Sequence, residues 1–174
     1  VVAMLWCSLP VPLVVGLNGV AAGAGASLAL MGDITIAAKS ANLTFVFAPK
    51  LGLVPDMGGP YFRARRIGEA RARAFALTGQ PIAAEEAARI GLIAECVDDA
   101  QFESRVREIV GALAAGPRNA FLGVRALMAS AVTASLPAQL EAEAAAQARL
   151  GDSPDFVEGV TAFREKRAPK FGAR

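Results

Sequence analysis

Residues 18–33 decide the fold, and they read Asn-Gly-Val-Ala-Ala-Gly-Ala-Gly-Ala-Ser-Leu-Ala-Leu-Met-Gly-Asp. Small residues fill the first half, where a backbone has to turn without side chains in its way. The second half has the apolar spacing of a buried helix, predicted over residues 24–31. The N–H groups of residues 23–26 would stand at the start of this helix, where unpaired donors and the helix dipole favour an anion or a polarised carbonyl.

Strands are predicted on both sides of this turn. Residues 13–17 have the apolar run of a short buried strand, and residues 33–38 and 43–47 alternate like two more. Strand, helix and strand in succession predict a right-handed crossover in an α/β layer. Residues 51–60 carry enough Gly and Pro to form a loop, and Pro60 suits the first turn of a following helix.

From residue 61 onward the pattern is mainly helical. Helices are predicted over residues 68–77, 83–90, 102–113, 121–128, 137–150 and 155–166, with a short strand at 92–97. Ser153 is the expected N-cap of the last helix. We therefore predict an α/β chain in which a partial core at residues 1–98 precedes a helical region at residues 99–174.

The composition limits the possible functions. The chain has 174 residues, a net charge of +2, two cysteines and no histidine. The balanced charge gives no argument for nucleic-acid binding, and no apolar run is long enough to span a membrane. Without histidine, acid–base chemistry has to come from carboxylates, and no metal site is expected. The apolar N-terminus lacks the basic start of a signal peptide, and a cytoplasmic location is expected.

Two ordered motifs resemble the crotonase family, also called the enoyl-CoA hydratase/isomerase family. They are residues 18–30 with Asp33, and Leu-Gly-Leu-Val-Pro-Asp-Met-Gly-Gly at 51–59. Residues 77–87, 89–93 and 163–167 resemble later segments of the same family. The resemblance runs from about residue 11 to the end, and the first ten residues do not match well.

The resemblance implies a fold, a substrate and an assembly. The fold would be the family's ββα spiral core followed by C-terminal oligomerisation helices, in a trimer or a dimer of trimers. The substrate would be an acyl-CoA thioester, so coenzyme A would enter with the substrate and no separate cofactor is expected. By position, Ala24 between Gly23 and Gly25 would supply one N–H of the oxyanion hole. The N-terminal strands and the loop with the other donor are expected to be missing from this chain, which alone could be inactive.

The resemblance also implies which residues carry the chemistry. Hydratases of the family place two glutamates where this chain has Ser27 and Ala48, so hydration through that pair is disfavoured and both residues are expected to line the acyl pocket. Asp56 is the remaining carboxylate, because Asp33 at a strand start is expected to be structural. From spacing alone Asp56 could be a turn former or N-cap. Isomerase-type members, including those resembling the ring-epoxide isomerases of phenylacetyl-CoA breakdown, carry an Asp base at this position.

The leading hypothesis is therefore isomerisation of an enoyl-CoA double bond by Asp56. Burial beside Leu53, Val54 and Met57 would raise the pKa of its carboxyl group. The alternatives are a hydratase-like lyase, a catalytically silent CoA-binding or assembly subunit, and a truncated product without function. Phe163 and Lys166, one helical turn apart, resemble the family's adenine-stacking and phosphate-pairing residues, although an ordinary amphipathic tail helix would have the same pattern.

Overall fold

The computed structural model describes residues 2–172, in two compact units. The first unit comprises residues 2–9 and 13–109, and the second comprises residues 10–12 and 110–172. The division falls inside a helix that begins at Asp99. In chain order the elements are α1 (Val2–Cys7), β1 (Val14–Leu17), β2 (Val20–Ala22), α2 (Ala24–Ala29), β3 (Ile34–Ala38), β4 (Asn42–Thr44), a π-helical turn (Phe47–Leu51), α3 (Gly59–Ile67), α4 (Glu69–Thr78), β5 (Ile82–Ala83), α5 (Ala84–Arg89), β6 (Glu95–Val97), α6 (Asp99–Ala114), α7 (Arg118–Ala131), α8 (Leu136–Gly151) and α9 (Pro154–Glu165).

Two three-stranded sheets form the strand layer of the first unit. One has the order β1-β3-β6 with both pairs parallel, and the other has the order β2-β4-β5 with β2 and β4 parallel. The predicted parallel pairing of the strands on either side of the turn is confirmed by the β1–β3 register. Within residues 2–172, β1 and β2 each pair with another strand on one side only.

The core of the first unit packs between these sheets and helices α2 to α5. Its side chains are almost entirely apolar, as expected for strands that are covered on their inner faces. The fully buried members include Leu30, Ile36, Leu43, Phe45, Ile82 and Leu92. The core therefore encloses α2, and the turn that precedes α2 is held by buried neighbours.

Asp33 and Arg66 make side-chain hydrogen bonds to the backbone that hold the segments around α2 and β3 together. The Asp33 carboxylate accepts a hydrogen bond from Leu13 N–H at 2.7 Å, which ties the start of β3 to the residue before β1. The Arg66 guanidinium donates to the carbonyls of Leu30, Gly32 and Leu92 at 2.7, 2.8 and 2.9 Å. Burial lowers the pKa of Arg66, and the nearby Asp33 charge opposes that shift. The structural role expected for Asp33 is confirmed.

Three details of the predicted elements are wrong. Residues 20–22 form strand β2 rather than a turn, because they pair with Asn42–Thr44. The third strand ends at Thr44, and Phe47–Leu51 is a π-helical turn ended by Gly52 at φ 63°. The apolar residues at positions 43, 45 and 47 alternate as in a strand, but the backbone leaves the sheet after Thr44 and coils from Phe47 onward. Lys166 lies just outside α9, in a left-handed conformation with φ 53°.

The second unit is helical, as the sequence predicts. Ser153 is the N-cap of α9, and its hydroxyl accepts a hydrogen bond from Phe156 N–H at 3.2 Å. After α9 the chain turns back, where Glu158 accepts hydrogen bonds from the Arg167 guanidinium at 2.6 and 2.9 Å and from Lys170 N–H at 2.7 Å. These donors lower the pKa of Glu158 to about 2. The residues after α9 are therefore bound to its surface.

Replacing Arg66 by Met should destabilise the fold by about 2–4 kcal/mol, because three carbonyls would lose a charged donor. Urea unfolding measures the change. Arg65→Met is the matched control, since Arg65 is exposed on the same helix. Equal losses in the two variants would contradict the assigned role of Arg66.

Candidate active site

Gly23 forms the sharp turn between β2 and α2. Its backbone has φ 56° and ψ −123°, a left-handed φ that side-chain-bearing residues rarely adopt. Its N–H donates to the Thr44 carbonyl at 2.9 Å, which joins the turn to the end of β4. The turn is thus fixed in place by the neighbouring strand.

Two accessible residues with unpaired backbone donors, Ala24 and Gly25, follow this turn. The first bond of α2 runs from Ser27 N–H to the Gly23 carbonyl at 3.2 Å, and the N–H groups of residues 24–26 have no intrahelical acceptor. Ala24 is half-buried, Gly25 is exposed, and nothing in the structure lies within 4 Å of a Cβ placed on Gly25. The turn can therefore donate hydrogen bonds to an oxygen that approaches Ala24 and Gly25.

The π-helical turn borders the Gly23 turn. The ring of Phe47 lies 3.5 Å from the position of a Cβ on Gly23, and Ala48 follows Phe47 as a half-buried residue. Ala48 is thus the residue that follows a ring in contact with the Gly23 turn. A methyl group at position 48 contributes only apolar surface.

Asp56 lies in the loop that leads into α3. Its carbonyl accepts a hydrogen bond from Gly59 N–H at 2.9 Å, and the next two residues, Met57 and Gly58, have left-handed φ angles of 51° and 72°. Gly58 is the N-cap of α3, and no side chain caps that helix. Asp56 therefore forms a turn through its backbone, while its exposed carboxylate is not used as a cap.

The expectation that apolar side chains bury Asp56 is wrong for the described part of this chain. Leu53 is 59% exposed and Val54 is 82% exposed, and Asp56 itself is exposed. Leu53 and Val54 are therefore open to solvent in the described part of the chain. The loop offers apolar surface that a bound acyl group could cover.

Ser27 packs against the start of α3. It is fully buried, and a Cβ on Gly59 would overlap its Oγ, so this glycine permits the close approach of the two helices. The Oγ of Ser27 has no hydrogen-bond partner among residues 2–172. The close approach also brings the Asp56 loop next to α2, since Pro55 lies 3.9 Å from the same Cβ position.

Phe163 and Lys166 belong to the second unit. Phe163 is 84% exposed on α9, and Lys166 is exposed at the end of that helix. Phe163 also lines an apolar groove of about 1020 Å³ between α7, α8 and α9. Both side chains are free to meet a ligand or another chain.

Two functional features are not found among residues 2–172. No group of three or more His, Cys, Asp or Glu residues is arranged to hold a metal ion. None of the helices in the described part of the chain combines the length and apolar character required to cross a bilayer.

Sequence reasoning missed the roles of two arginines on α3. Arg63 is 1% exposed and stacks on Phe45, and Arg66 binds three carbonyls. Arginine is a residue type that is mostly exposed in proteins, so a buried position for either was not expected. The available signal was the spacing of Gly59, Arg63 and Arg66, which follow one another at four and three residues and so share one face of α3.

The comparisons with known proteins agree on one family. The profile of the enoyl-CoA hydratase/isomerase family matches residues 3–174, so the chain belongs to this family, and the match begins well before residue 11. A probable enoyl-CoA hydratase of Rhodobacter capsulatus is 48% identical over 96% of this chain and 65% of its own length. The 1,2-epoxyphenylacetyl-CoA isomerase of Escherichia coli is 44% identical over 94% of this chain and 62% of its own length.

A solved structure shares the fold. The crystal structure of a putative enoyl-CoA hydratase/isomerase from Mycobacterium abscessus superposes with a TM-score of 0.94 at 39% identity, covering 99% of this chain and 66% of that one. The α/β fold of this chain therefore matches crotonase-like structures. The chain spans slightly less than two thirds of the length of these two curated relatives.

Gly59→Ala should destabilise the protein by about 1–3 kcal/mol, because the new methyl group would overlap Ser27 Oγ. In a Ser27→Ala background the nearest atom is the residue 27 Cβ at 3.4 Å, so the loss should fall below about 1 kcal/mol. Chemical unfolding of the four proteins in this cycle measures the coupling. Additive losses would contradict the packing of Ser27 against Gly59.

Proposed function

We propose that this chain carries the isomerisation site of an enoyl-CoA isomerase. Asp56 is the base, and Ala24 N–H polarises the thioester carbonyl. The observation that supports this most directly is the turn at Gly23, because the N–H groups of Ala24 and Gly25 that follow it have no acceptor among residues 2–172 and are reachable by a ligand. Between residues 18 and 59 the only carboxylates are Asp33 and Asp56, and Asp33 is bonded to Leu13.

A single carboxylate is sufficient for this reaction. Asp56 would remove a proton from the carbon next to the thioester carbonyl, which leaves an enolate whose oxygen accepts hydrogen bonds at the Gly23 turn. The same carboxyl group would then return the proton two carbons further along, which moves the double bond. Backbone donors aimed at the developing oxyanion are typically worth about 10²–10³ in rate each.

The residues at positions 27 and 48 favour isomerisation over hydration. Adding water needs one group to activate the water and another to supply a proton. Ser27 is buried against Gly59, and Ala48 has no ionisable group. The relative named 1,2-epoxyphenylacetyl-CoA isomerase supports an isomerase. On the same basis, we propose phenylacetate breakdown as the pathway in which the enzyme acts.

A hydratase-like lyase is the second candidate. It is favoured by the relative from Rhodobacter capsulatus, which is named a probable enoyl-CoA hydratase. A CoA-binding chain without turnover is the third, because Ser27 and Ala48 stand where hydratases of the family have their two glutamates. The assays below separate all three.

The proposal also covers the architecture, the assembly and the acyl pocket of the enzyme. The strands and α2 would form part of the ββα spiral core, and residues 1–98 and 99–174 would act as core and helical region. The helices of the second unit, with the exposed Phe163 and the apolar groove, would assemble the chain into a trimer or a dimer of trimers. Gly23, Gly25, Ser27 and Ala48 would surround the acyl group, and the enzyme would act in the cytoplasm with no cofactor beyond the coenzyme A of its substrate.

Asp56→Asn should lower the rate of conversion of 3-enoyl-CoA to 2-enoyl-CoA by about 10²–10⁴, because the amide cannot accept the proton. The conjugation absorbance of the product reports the rate. Asp152→Asn is the control, since Asp152 is an exposed aspartate of the second unit. If the Asp56→Asn variant still hydrates 2-enoyl-CoA, the isomerase assignment is wrong and the lyase is favoured. Binding of acetyl-CoA without either reaction would favour the silent chain.

Replacing Lys166 by Gly should distinguish the proposed contact of its side chain with a phosphate from its conformational role at the end of α9. Glycine tolerates the left-handed conformation of residue 166, so stability should rise by about 0.5–1 kcal/mol. Affinity for coenzyme A should fall by up to about five-fold, the worth of one exposed ion pair. Thermal unfolding and calorimetry measure the two effects, with Lys170→Ala as a control for charge. Unchanged affinity would leave Lys166 with a structural role alone.

A further inference from the structure

The conformation of Gly23 is not fixed by the residue itself. Glycine enters the left-handed and right-handed regions about equally readily, so its backbone rotates more freely than that of any other residue. Gly23 makes two backbone hydrogen bonds, its N–H donating to the Thr44 carbonyl at 2.9 Å and its carbonyl accepting from Ser27 N–H at 3.2 Å. The second bond lies at the long end of the usual range. Packing against the turn is therefore an important restraint on its conformation.

The direction of the Ala24 N–H depends on that conformation. The peptide unit that joins Gly23 to Ala24 is planar and trans, so its N–H and its C=O point in opposite directions. The carbonyl of this unit points along α2, where Ser27 N–H binds it. The Ala24 N–H therefore points back out of the start of α2, and any rotation of the peptide unit would turn the donor away from this direction.

Phe47 is the side chain that packs most closely against Gly23. It is 8% exposed, and its ring atoms Cζ and Cε2 lie 3.5 and 3.6 Å from the position of a Cβ on Gly23. Val46 is the next neighbour, with its Cγ2 at 3.9 Å from that position. The far end of the Phe47 ring therefore borders one side of the turn, whereas Gly25 lies open on the side that a ligand can reach.

The backbone of Phe47 is connected to the loop that carries Asp56. Its carbonyl accepts a hydrogen bond from Leu53 N–H at 3.2 Å, at the point where the π-helical turn ends and the loop begins. Within the π-helical turn, Pro49 packs on the end of α4, since its Cγ lies 2.6 Å from the position of a Cβ on Gly79. Phe47 thus contacts the donor turn through its ring and the loop through its carbonyl, from a segment that rests on α4.

We propose that Phe47 is a positioning residue for the oxyanion donor, because its ring holds Gly23 in the conformation that directs the Ala24 N–H. The inference rests on the proposed function, in which this N–H polarises the thioester carbonyl. Phe47 acts through Gly23 and needs no contact with the substrate. Backbone donors stabilise an oxyanion only when they are aimed at the position where its charge develops. Loss of the ring contact should therefore cost part of the rate that the donor supplies.

The first experiment is the kinetic comparison of Phe47→Leu with a matched variant. Leucine stays apolar but lacks the ring atoms that face Gly23. The kcat for conversion of 3-enoyl-CoA to 2-enoyl-CoA should fall by about ten-fold, with a change in KM below about two-fold, because the donor matters most in the transition state. Phe102→Leu is the control, since the Phe102 Cζ lies 3.1 Å from the position of a Cβ on Gly16, in strand β1.

Both variants remove the far end of a ring from a glycine, and both should lower the melting temperature by a few degrees. Only Phe47→Leu should lower kcat. Equal losses of kcat in the two variants would mean that reduced stability causes the effect, and the positioning role would be wrong. Phe47→Met is a second variant, because its flexible side chain fills the core without a rigid ring and so keeps the fold while the turn loosens.

The second experiment is infrared spectroscopy of bound hexanoyl-CoA that is isotope-labelled at its carbonyl carbon. A hydrogen bond from Ala24 N–H should lower the stretching frequency of the thioester carbonyl when the ligand binds to the unmodified protein. The decrease should be smaller in Phe47→Leu and unchanged in Phe102→Leu. A full decrease in Phe47→Leu would contradict the inference, since the donor would be aimed correctly without the ring.

NMR relaxation of the Ala24 and Gly25 amides in the ligand-free protein tests the same role without a substrate. Their order parameters should be near the rigid-backbone value of about 0.85 in the unmodified protein and in Phe102→Leu, and lower in Phe47→Leu. Unchanged order parameters and amide chemical shifts in Phe47→Leu would overturn the inference. If the turn loosens as expected but the unmodified protein does not shift the thioester carbonyl, the proposed function fails while Phe47 still positions the turn.

Discussion

The three hydrogen bonds of Arg66 are the interaction on which the first unit depends. They join the end of α2, the residue before Asp33 and the segment before β6 to one side chain of α3. Helix α2 is only six residues long, so it cannot be stable through its own hydrogen bonds. Its position, and with it the direction of the Ala24 N–H, is set by packing against α3 and by this arginine.

The sequence predicts the fold where local rules and burial agree. The Ser153 N-cap was predictable because it depends on adjacent residues, and the parallel β1–β3 pair was predictable because a single crossover helix joins the two strands. The π-helical turn was not, because alternating buried phenylalanines indicate only which side chains are covered. Strand β2 was missed for a related reason: its small residues are strand-forming only when β4 lies beside them.

The candidate site was likewise predictable only in part. The Gly23 turn and its donors could be predicted from small residues before an apolar helix, and the structure contains both. The environment of Asp56 could not, because exposure depends on what covers the loop, and Leu53 and Val54 stand open in this chain. Arg63 is the opposite case, since a residue typical of surfaces is enclosed by α3 and Phe45.

The one-sided pairing of β1 and β2 has a consequence for what the sheets can bind. Each strand presents a row of backbone donors and acceptors on its other side, within the part of the chain that is described. Such rows accept any extended segment of suitable length, including the same strand of a second molecule. Within the described part of the chain, each of these edges is therefore a place where a further extended segment can join the sheet through main-chain hydrogen bonds alone, whatever its side chains.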